Sequence, residues 1–372
     1  MSALVPVALF GWPLVALFVF ALLPPLRAVL TTLVLGWLFL PEAGFALSGL
    51  PDFDKSTATI GAVLLGAAVY DRDRLLTFRP TTFDLPMAVF CIAPLASSVA
   101  NGLGLYDGFS AVLDQLVHWG LPYLVGRVYL RTAQPLQALA LAIFIGGLVY
   151  APLCLWEVRM APTLHQDVYG FHQSPFVHTH RFGGYRPKVF LHSGLAVGMW
   201  MSAACVMGFA LWRYARQTHW QGLPMVALLA FVALTTVLCK STGALLLGLG
   251  AAAILALAYW LRRRWPVLLL AVAPLIYIGM ALTNTLPREL GIELARQVGE
   301  DRAASFQSRM EQEAILVERG LQRPWLGWGG WGRYRAIDEF TGEDVSVTDG
   351  MWVLTFGRYG LLGVAGFALA LL

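Results

Sequence analysis

Charge is scarce in this sequence. Asp, Glu, Lys and Arg make up 13% of its 372 residues, 58% are apolar and mean hydropathy is +0.66. That is too little polar surface to coat a soluble globule of this length, so the composition describes a membrane protein. Strand-like alternation is missing as well, which makes helices rather than a closed barrel the spanning elements. Cysteine is limited to Cys91, Cys154, Cys205 and Cys239, all in or beside apolar runs. Thiols there serve as small packing residues, and neither a disulfide framework nor a cysteine metal site is expected. No Walker loop, GxGxxG phosphate loop or GxSxG elbow is expected, which removes nucleotide hydrolysis and ordinary hydrolase chemistry as first expectations. The first run, from Leu4 to Leu23, has neither a positive leader nor a small-residue cleavage site, and reads as a retained span rather than a signal peptide.

What is present is a series of apolar runs, each near the roughly 20 residues that cross a bilayer as a helix. They fall at about 4–23, 25–40, 57–70, 85–101, 108–130, 135–156, 191–212, 223–239, 242–260, 266–284 and 351–372. The expected fold is all-α: a polytopic integral membrane protein of about eleven spans. The last run ends at Leu372 without a charged flank, which leaves room for a twelfth in a longer chain. The organisation reads as N-terminal spans (1–156), a basic, His-rich loop (157–190), central spans (191–284), a large partly helical loop (285–350) and a final span (351–372). Short linkers carrying Arg27, Arg72, Arg74, Arg79, Arg127, Arg131, Arg213, Arg216 and Arg262 to Arg264 all fall on one side if every run crosses. The positive-inside rule makes that side cytoplasmic and puts both polar loops outside. Within the large loop, "SFQSRMEQEAILVERGL" has helical periodicity and predicts a helix over about 301–320, ended at Gly320.

The stretch "HTHRFGGYRPKVFLHSG" concentrates Arg181, Arg186 and Lys188 around a Gly-Gly pair just before a span. Anchoring to lipid headgroups is one use for such residues. The other is an anion site, since guanidinium forks grip phosphate oxygens bidentately and glycines let backbone N–H groups approach. Five of the seven histidines, His165, His172, His178, His180 and His192, lie in the same region. They lack the ligand spacing of a zinc site, so no metal is expected. Two DxD triplets, Asp52 to Asp54 and Asp71 to Asp73, have the form of divalent-cation ligands in sugar-phosphate enzymes, but the pattern is short and reads more simply as linker charge. Trp325, Trp328 and Trp331 flank glycines in "RPWLGWGGWG", where they serve as interfacial anchors or as platforms for sugar rings.

Taken in order, "RFGGYRPKVFLHSGLAVGMWM", "KSTGALLLG", "SRMEQEAILVERGLQRPWLGWG" and "TDGMWVLTFGRYGLLG" resemble the O-antigen ligase and polymerase superfamily of bacterial envelope glycosyltransferases, over roughly 178–363. The resemblance implies a multi-pass protein of the bacterial inner membrane with its active face in the periplasm. Its implied partners are an undecaprenyl-pyrophosphate-linked glycan, an acceptor glycan or lipid and membrane lipids, with no nucleic acid and no cofactor. The family's signature has a histidine ahead of a Gly-x-x-Gly frame; here the frame is Gly360 to Gly363 and Asp349 stands in the histidine's place. The implied catalytic residues are Asp349, Arg186 and Arg309. Arg181 is the alternative to Arg186 as the family's first-loop arginine; with Lys188 and Lys240 as accessory cations, His192 and Trp328, it makes up the candidate substrate-binding set.

Such a reaction needs cations for the departing pyrophosphate and a base for the acceptor hydroxyl. Asp349 serves equally well, by its position before Met351, as a helix N-cap. A transporter or flippase of lipid-linked glycans and a non-catalytic assembly protein are the alternative readings. Transporters, however, place ionisable groups in mid-membrane, where this chain has almost none.

Overall fold

The computed structural model describes residues 2–47, 49–181, 183–337, 344, 346 and 350–371. It is 73% helical with almost no strand. The helices are α1 (Leu4–Leu22), α2 (Pro25–Phe39), α3 (Lys55–Tyr70), α4 (Arg72–Leu76), α5 (Leu85–Ala100), α6 (Gly104–Gln115), α7 (Leu121–Tyr129), α8 (Ala133–Arg159), α9 (Leu164–Tyr169), α10 (Gly194–Arg213), α11 (Met225–Leu238), α12 (Thr242–Leu261), α13 (Trp265–Leu282), α14 (Arg288–Val298), α15 (Glu300–Leu321) and α16 (Met351–Ala370). Three two-residue antiparallel hairpins join them: β1–β2 (Gly44–Phe45, Phe53–Asp54), β3–β4 (His180–Arg181, Gly184–Tyr185) and β5–β6 (His219–Trp220, Leu223–Pro224).

Among the described residues seven helices are long and apolar enough to cross a membrane, and α2, α3 and α11 are shorter apolar helices. Their outward faces are apolar too, with Leu14, Phe18, Leu234 and Leu247 all exposed. A helix that is apolar all round while one face stays open belongs in lipid. The protein is accordingly all-α and membrane-embedded. The apolar run at 108–130 is not one helix: α6 gives way to a π-helical turn, Leu116–Gly120, before α7. Asp114 and Gln115 interrupt its apolar character, and Pro122 removes a ladder donor where the register changes.

The chain forms two compact units. The first comprises Met1–Leu47, Asp52–Phe78 and Leu121–Val267. Its core joins Leu9, Leu38, Phe144, Tyr150, Leu191, Met201 and Val232, all buried. Helices approach at small residues: Gly147 of α8 meets Ala204 of α10, Gly208 meets Phe144 and Gly248 of α12 meets Ser202. Close backbone packing of this kind is how helices associate where lipid removes the hydrophobic incentive.

The second unit comprises Ser48–Pro51, Arg79–Gly120 and Leu268–Leu372. Here 285–350 holds two helices, α14 and α15, rather than the single one read from the sequence. Gly320 lies inside the last turn of α15, where the Phe356 ring occupies the place of a side chain. Apolar α16 is broken at Gly360, whose φ is 62°. The loop 324–329 fills the break. Trp328 and Gly329 donate N–H to the carbonyls of Gly357 and Arg358, while Leu361 and Leu362 donate to those of Pro324 and Trp325. Groups freed by the break are thus satisfied by protein, the condition for irregular backbone within an apolar helix. Gly327 to Gly332 has the spacing of a GxGxxG phosphate loop, yet it follows a helix and serves as this plug.

A Cβ at Gly360 would fall on the Trp325 backbone, and its φ is strained for any L-residue. Gly360→Ala should therefore cost at least about 2 kcal/mol. At Gly250, a helical position with open space, alanine should be neutral or stabilising by up to about 1 kcal/mol. Thermal unfolding in detergent followed by circular dichroism checks the contrast.

Candidate functional site

The basic loop of the first unit is a built structure. Glu157, in the last turn of α8 and only 1% exposed, turns its carboxylate towards the loop. Oε2 accepts the backbone N–H groups of Lys188 and Val189, each at 2.7 Å, and Oε1 accepts that of Leu164 at 3.1 Å. Phe190 donates its N–H to the Tyr150 hydroxyl at 2.9 Å, Arg186 to the Thr179 carbonyl at 2.7 Å and Leu191 to the Lys188 carbonyl at 2.9 Å. Every backbone donor from Arg186 to Leu191 is thereby engaged. The carbonyls are held too: Gln173 donates to Val189 and Leu191, and Lys55 to Phe190. Lys55 is itself buried, paired at 3.0 Å with Glu42. Non-helical backbone can be buried only on such terms.

This scaffold fixes Arg186, which is 8% exposed. Its Nη2 donates to Ser241 Oγ at 2.9 Å. A Cβ on Gly194 would lie 2.6 Å from the arginine stem, so glycine there makes room for it. Ser241 stands at the N-cap of α12, but its hydroxyl caps nothing and faces the guanidinium instead. The preceding residue, Lys240, has a left-handed φ of 52°. That turn brings Lys240 Nζ against Gly184, in the hairpin whose other strand carries Arg181. Arg186, Lys240 and a serine hydroxyl are therefore brought to one end of α10 and α12, beside the hairpin that carries Arg181. Such a cluster can hold a phosphate through charge-assisted hydrogen bonds and stabilise negative charge gathering on it.

The remaining implied residues are placed differently. Lys188 is 2% exposed, and its amine donates to the Ser174 carbonyl and hydroxyl, each at 3.0 Å, so it holds the loop rather than a ligand. Burial holds its pKa below the usual lysine range, against the pull of Glu157. His192 is exposed at the end of the loop. Asp54 caps α3 by accepting from Thr57 N at 2.8 Å, and Asp71 pairs with Arg74. Among the described residues no three His, Cys, Asp or Glu side chains come together as a metal site. The His178 side chain lies outside the described residues.

In the second unit, Arg309 is exposed on α15 and lines a cavity of about 530 Å³ together with Phe306, Glu313, Gly350 and Val353. Asp349 lies outside the described residues; the N-cap position of α16 belongs to Gly350. Glu313 accepts from the Tyr277 hydroxyl at 2.6 Å and from Trp352 Nε1 at 3.2 Å. Sequence reasoning passed over it, although its place one helical turn beyond Arg309 put both on one face. Trp328 is half-buried, with the Arg319 guanidinium 3.7 Å from its ring centre, Arg323 at 4.5 Å and its own N–H on the Arg319 carbonyl. The exposed rings of this loop are Trp325 and Trp331. In comparisons with known proteins, no family model, curated protein or solved structure matches the chain.

Two changes test the scaffold. Gln at position 157 keeps the shape but turns an amide donor towards an N–H. Glu157→Gln should loosen the loop by about 2–4 kcal/mol and raise tryptic cleavage after Arg181 or Lys188 more than tenfold. The second change concerns His165, 1% exposed, whose Nδ1 faces the Phe171 carbonyl and whose Nε2 accepts the Glu42 N–H. Those partners require the neutral ring. Burial lowers its pKa, outweighing the upward pull of the Phe171 carbonyl and the Glu42 carboxylate, while Lys55 and His172 add to the lowering. Unfolded, the ring titrates near about 6.5. Below that value the unfolded chain binds more protons, so stability is full above it and falls as pH drops towards the folded pKa. The thermal midpoint should decline between pH 7 and pH 5, and His165→Gln, which does not titrate, should flatten that decline.

Proposed function

We propose that this protein is a membrane glycosyltransferase that moves a glycan from an undecaprenyl-pyrophosphate carrier to an acceptor hydroxyl, in polymerisation or ligation of a surface polysaccharide. One observation carries the reading. Arg186 sits in a segment whose buried backbone is tied down donor by donor and meets Ser241 at the start of α12, while Lys240 beside it lies against the hairpin that carries Arg181, an arrangement suited to a phosphate that must be held while charge builds on it. The bond from the anomeric carbon to the pyrophosphate oxygen breaks, and its electron pair leaves with the carrier. Arg186 and Lys240 stabilise that charge. The acceptor oxygen forms the new bond, and its proton passes to Asp349, a role that rests on the resemblance. Arg309 is assigned to the same chemistry on the same ground. The reading puts the chain in a bacterial inner membrane with about eleven spans, and the loops 157–190 and 285–350 on the outer face.

The assay is purified protein with undecaprenyl-pyrophosphate oligosaccharide. Arg186→Ala should lower turnover roughly 10²-fold or more, and Arg186→Lys should recover only part, because a point charge cannot make two parallel hydrogen bonds. Asp349→Asn should lose most turnover with an unchanged thermal midpoint. Wild-type turnover by stable Arg186→Ala protein would overturn the assignment, and lipid movement without glycan transfer would make the protein a flippase.

A further inference from the structure

The first unit holds a second basic feature, remote in sequence from the Arg186 loop. Where α10 and α12 both end, a cavity of about 760 Å³ opens between them and the start of α13. Its walls are apolar or aromatic: Leu255, Ala258, Val267 and the rings of Tyr214 and Tyr259. Those two rings meet edge to face at 5.4 Å, and the Arg213 guanidinium lies 4.5 Å from the centre of Tyr259, which fixes the wall. Its rim carries Arg216, Arg262, Arg263 and Arg264, all exposed.

Nothing nearby neutralises these four charges. None forms an ion pair among the described residues. The sequence contains no Asp or Glu at all between Asp167 and Glu289, so α10, α11, α12 and their connections can supply none. Helix dipoles are the remaining internal compensation. Each C-terminus is worth roughly half a negative charge, so the ends of α10 and α12 offset about one of the four, while the N-terminus of α13 adds back about half. An excess of at least about three positive charges rims an apolar pocket.

We infer that this cavity binds an anionic amphiphile, its phosphate-bearing headgroup held by Arg216 and Arg262–Arg264 and its hydrocarbon laid against Leu255, Ala258 and Val267. A soluble phosphate would satisfy the rim and leave the apolar wall in water, whereas a neutral lipid would satisfy the wall and leave the charge. The excess charge also favours a lipid with two phosphates over one with a single phosphate. The inference does not depend on the proposed catalytic activity.

To test it, the full chain is placed in nanodiscs of phosphatidylcholine with a minority of phosphatidylglycerol or diphosphatidylglycerol, and native mass spectrometry reads the lipid retained on release. Wild-type protein should retain the anionic lipid in preference to the neutral one, diphosphatidylglycerol most strongly. Removing two arginines together, Arg263→Gln with Arg264→Gln, should weaken that preference roughly thirtyfold. Arg27→Gln, an exposed arginine outside the cavity, should leave it unchanged. A second readout is quenching of Trp260, which is 78% exposed on the cavity wall, by brominated phosphatidylglycerol, with Arg216→Gln as the variant if the double change does not purify. Equal retention of both lipid classes, or a double variant that behaves as wild type, overturns the proposal. Displacement of the lipid by inorganic phosphate at equal concentration would identify a soluble-phosphate site and overturn it equally.

Discussion

The carboxylate of Glu157 is the constraint on which the first unit's polar end depends. A helix of 27 residues ends beside an irregular loop, and one side chain accepts three of that loop's N–H groups. Without it the Lys188–Val189 turn, whose valine has a φ of 48°, would be left with two buried donors unmet. Tyr150, Gln173 and Lys55 extend the same logic along the segment. Arg186 can be buried because the chain on both sides of it is held before any ligand arrives, the sense in which a site is preorganised.

How much of this was legible in the sequence depends on which physical signal each part leaves. Apolar runs are long-range and redundant, so the helices α1, α8, α10, α12, α13 and α16 stand near where hydropathy puts them. The π-helical turn at Leu116–Gly120 was not legible, because a few polar residues and Pro122 shift a hydrogen-bond register without shortening the run. Lys188 was legible as a cation but not as a buried one, and Lys55 and Glu157 gave no signal: all three are buried, with backbone partners that have no sequence signature. The Gly360–Gly363 frame was legible as a pattern, but the cause of its first glycine was not, since Gly360 meets a crossing segment 35 residues earlier, at Trp325.

At the Arg186 site the identity of the cations was readable and their geometry was not. Nothing in "KSTG" says that Ser241 leaves its helix uncapped to receive a guanidinium, or that a left-handed Lys240 carries its amine under a glycine hairpin. Small residues recur at each close approach: Gly184 for Lys240, Gly194 for Arg186 and Gly198 for Ser241. Here glycine works by lacking a Cβ, so that long cationic side chains and a neighbouring helix occupy the vacated volume.

The break in α16 bears on how the chain enters a membrane. An unbroken helix can be released into lipid alone, because each of its peptide groups is already bonded within the segment. α16 cannot, since the N–H groups of Leu361 and Leu362 and the carbonyls of Gly357 and Arg358 find partners in 324–329, with the Ser97 hydroxyl a second donor to Arg358. Each unmet group costs several kcal/mol in hydrocarbon, which sets a strong penalty on inserting α16 ahead of its plug. Those bonds favour insertion of α16 together with 324–329, so that the Gly/Trp-rich loop travels with the span it completes.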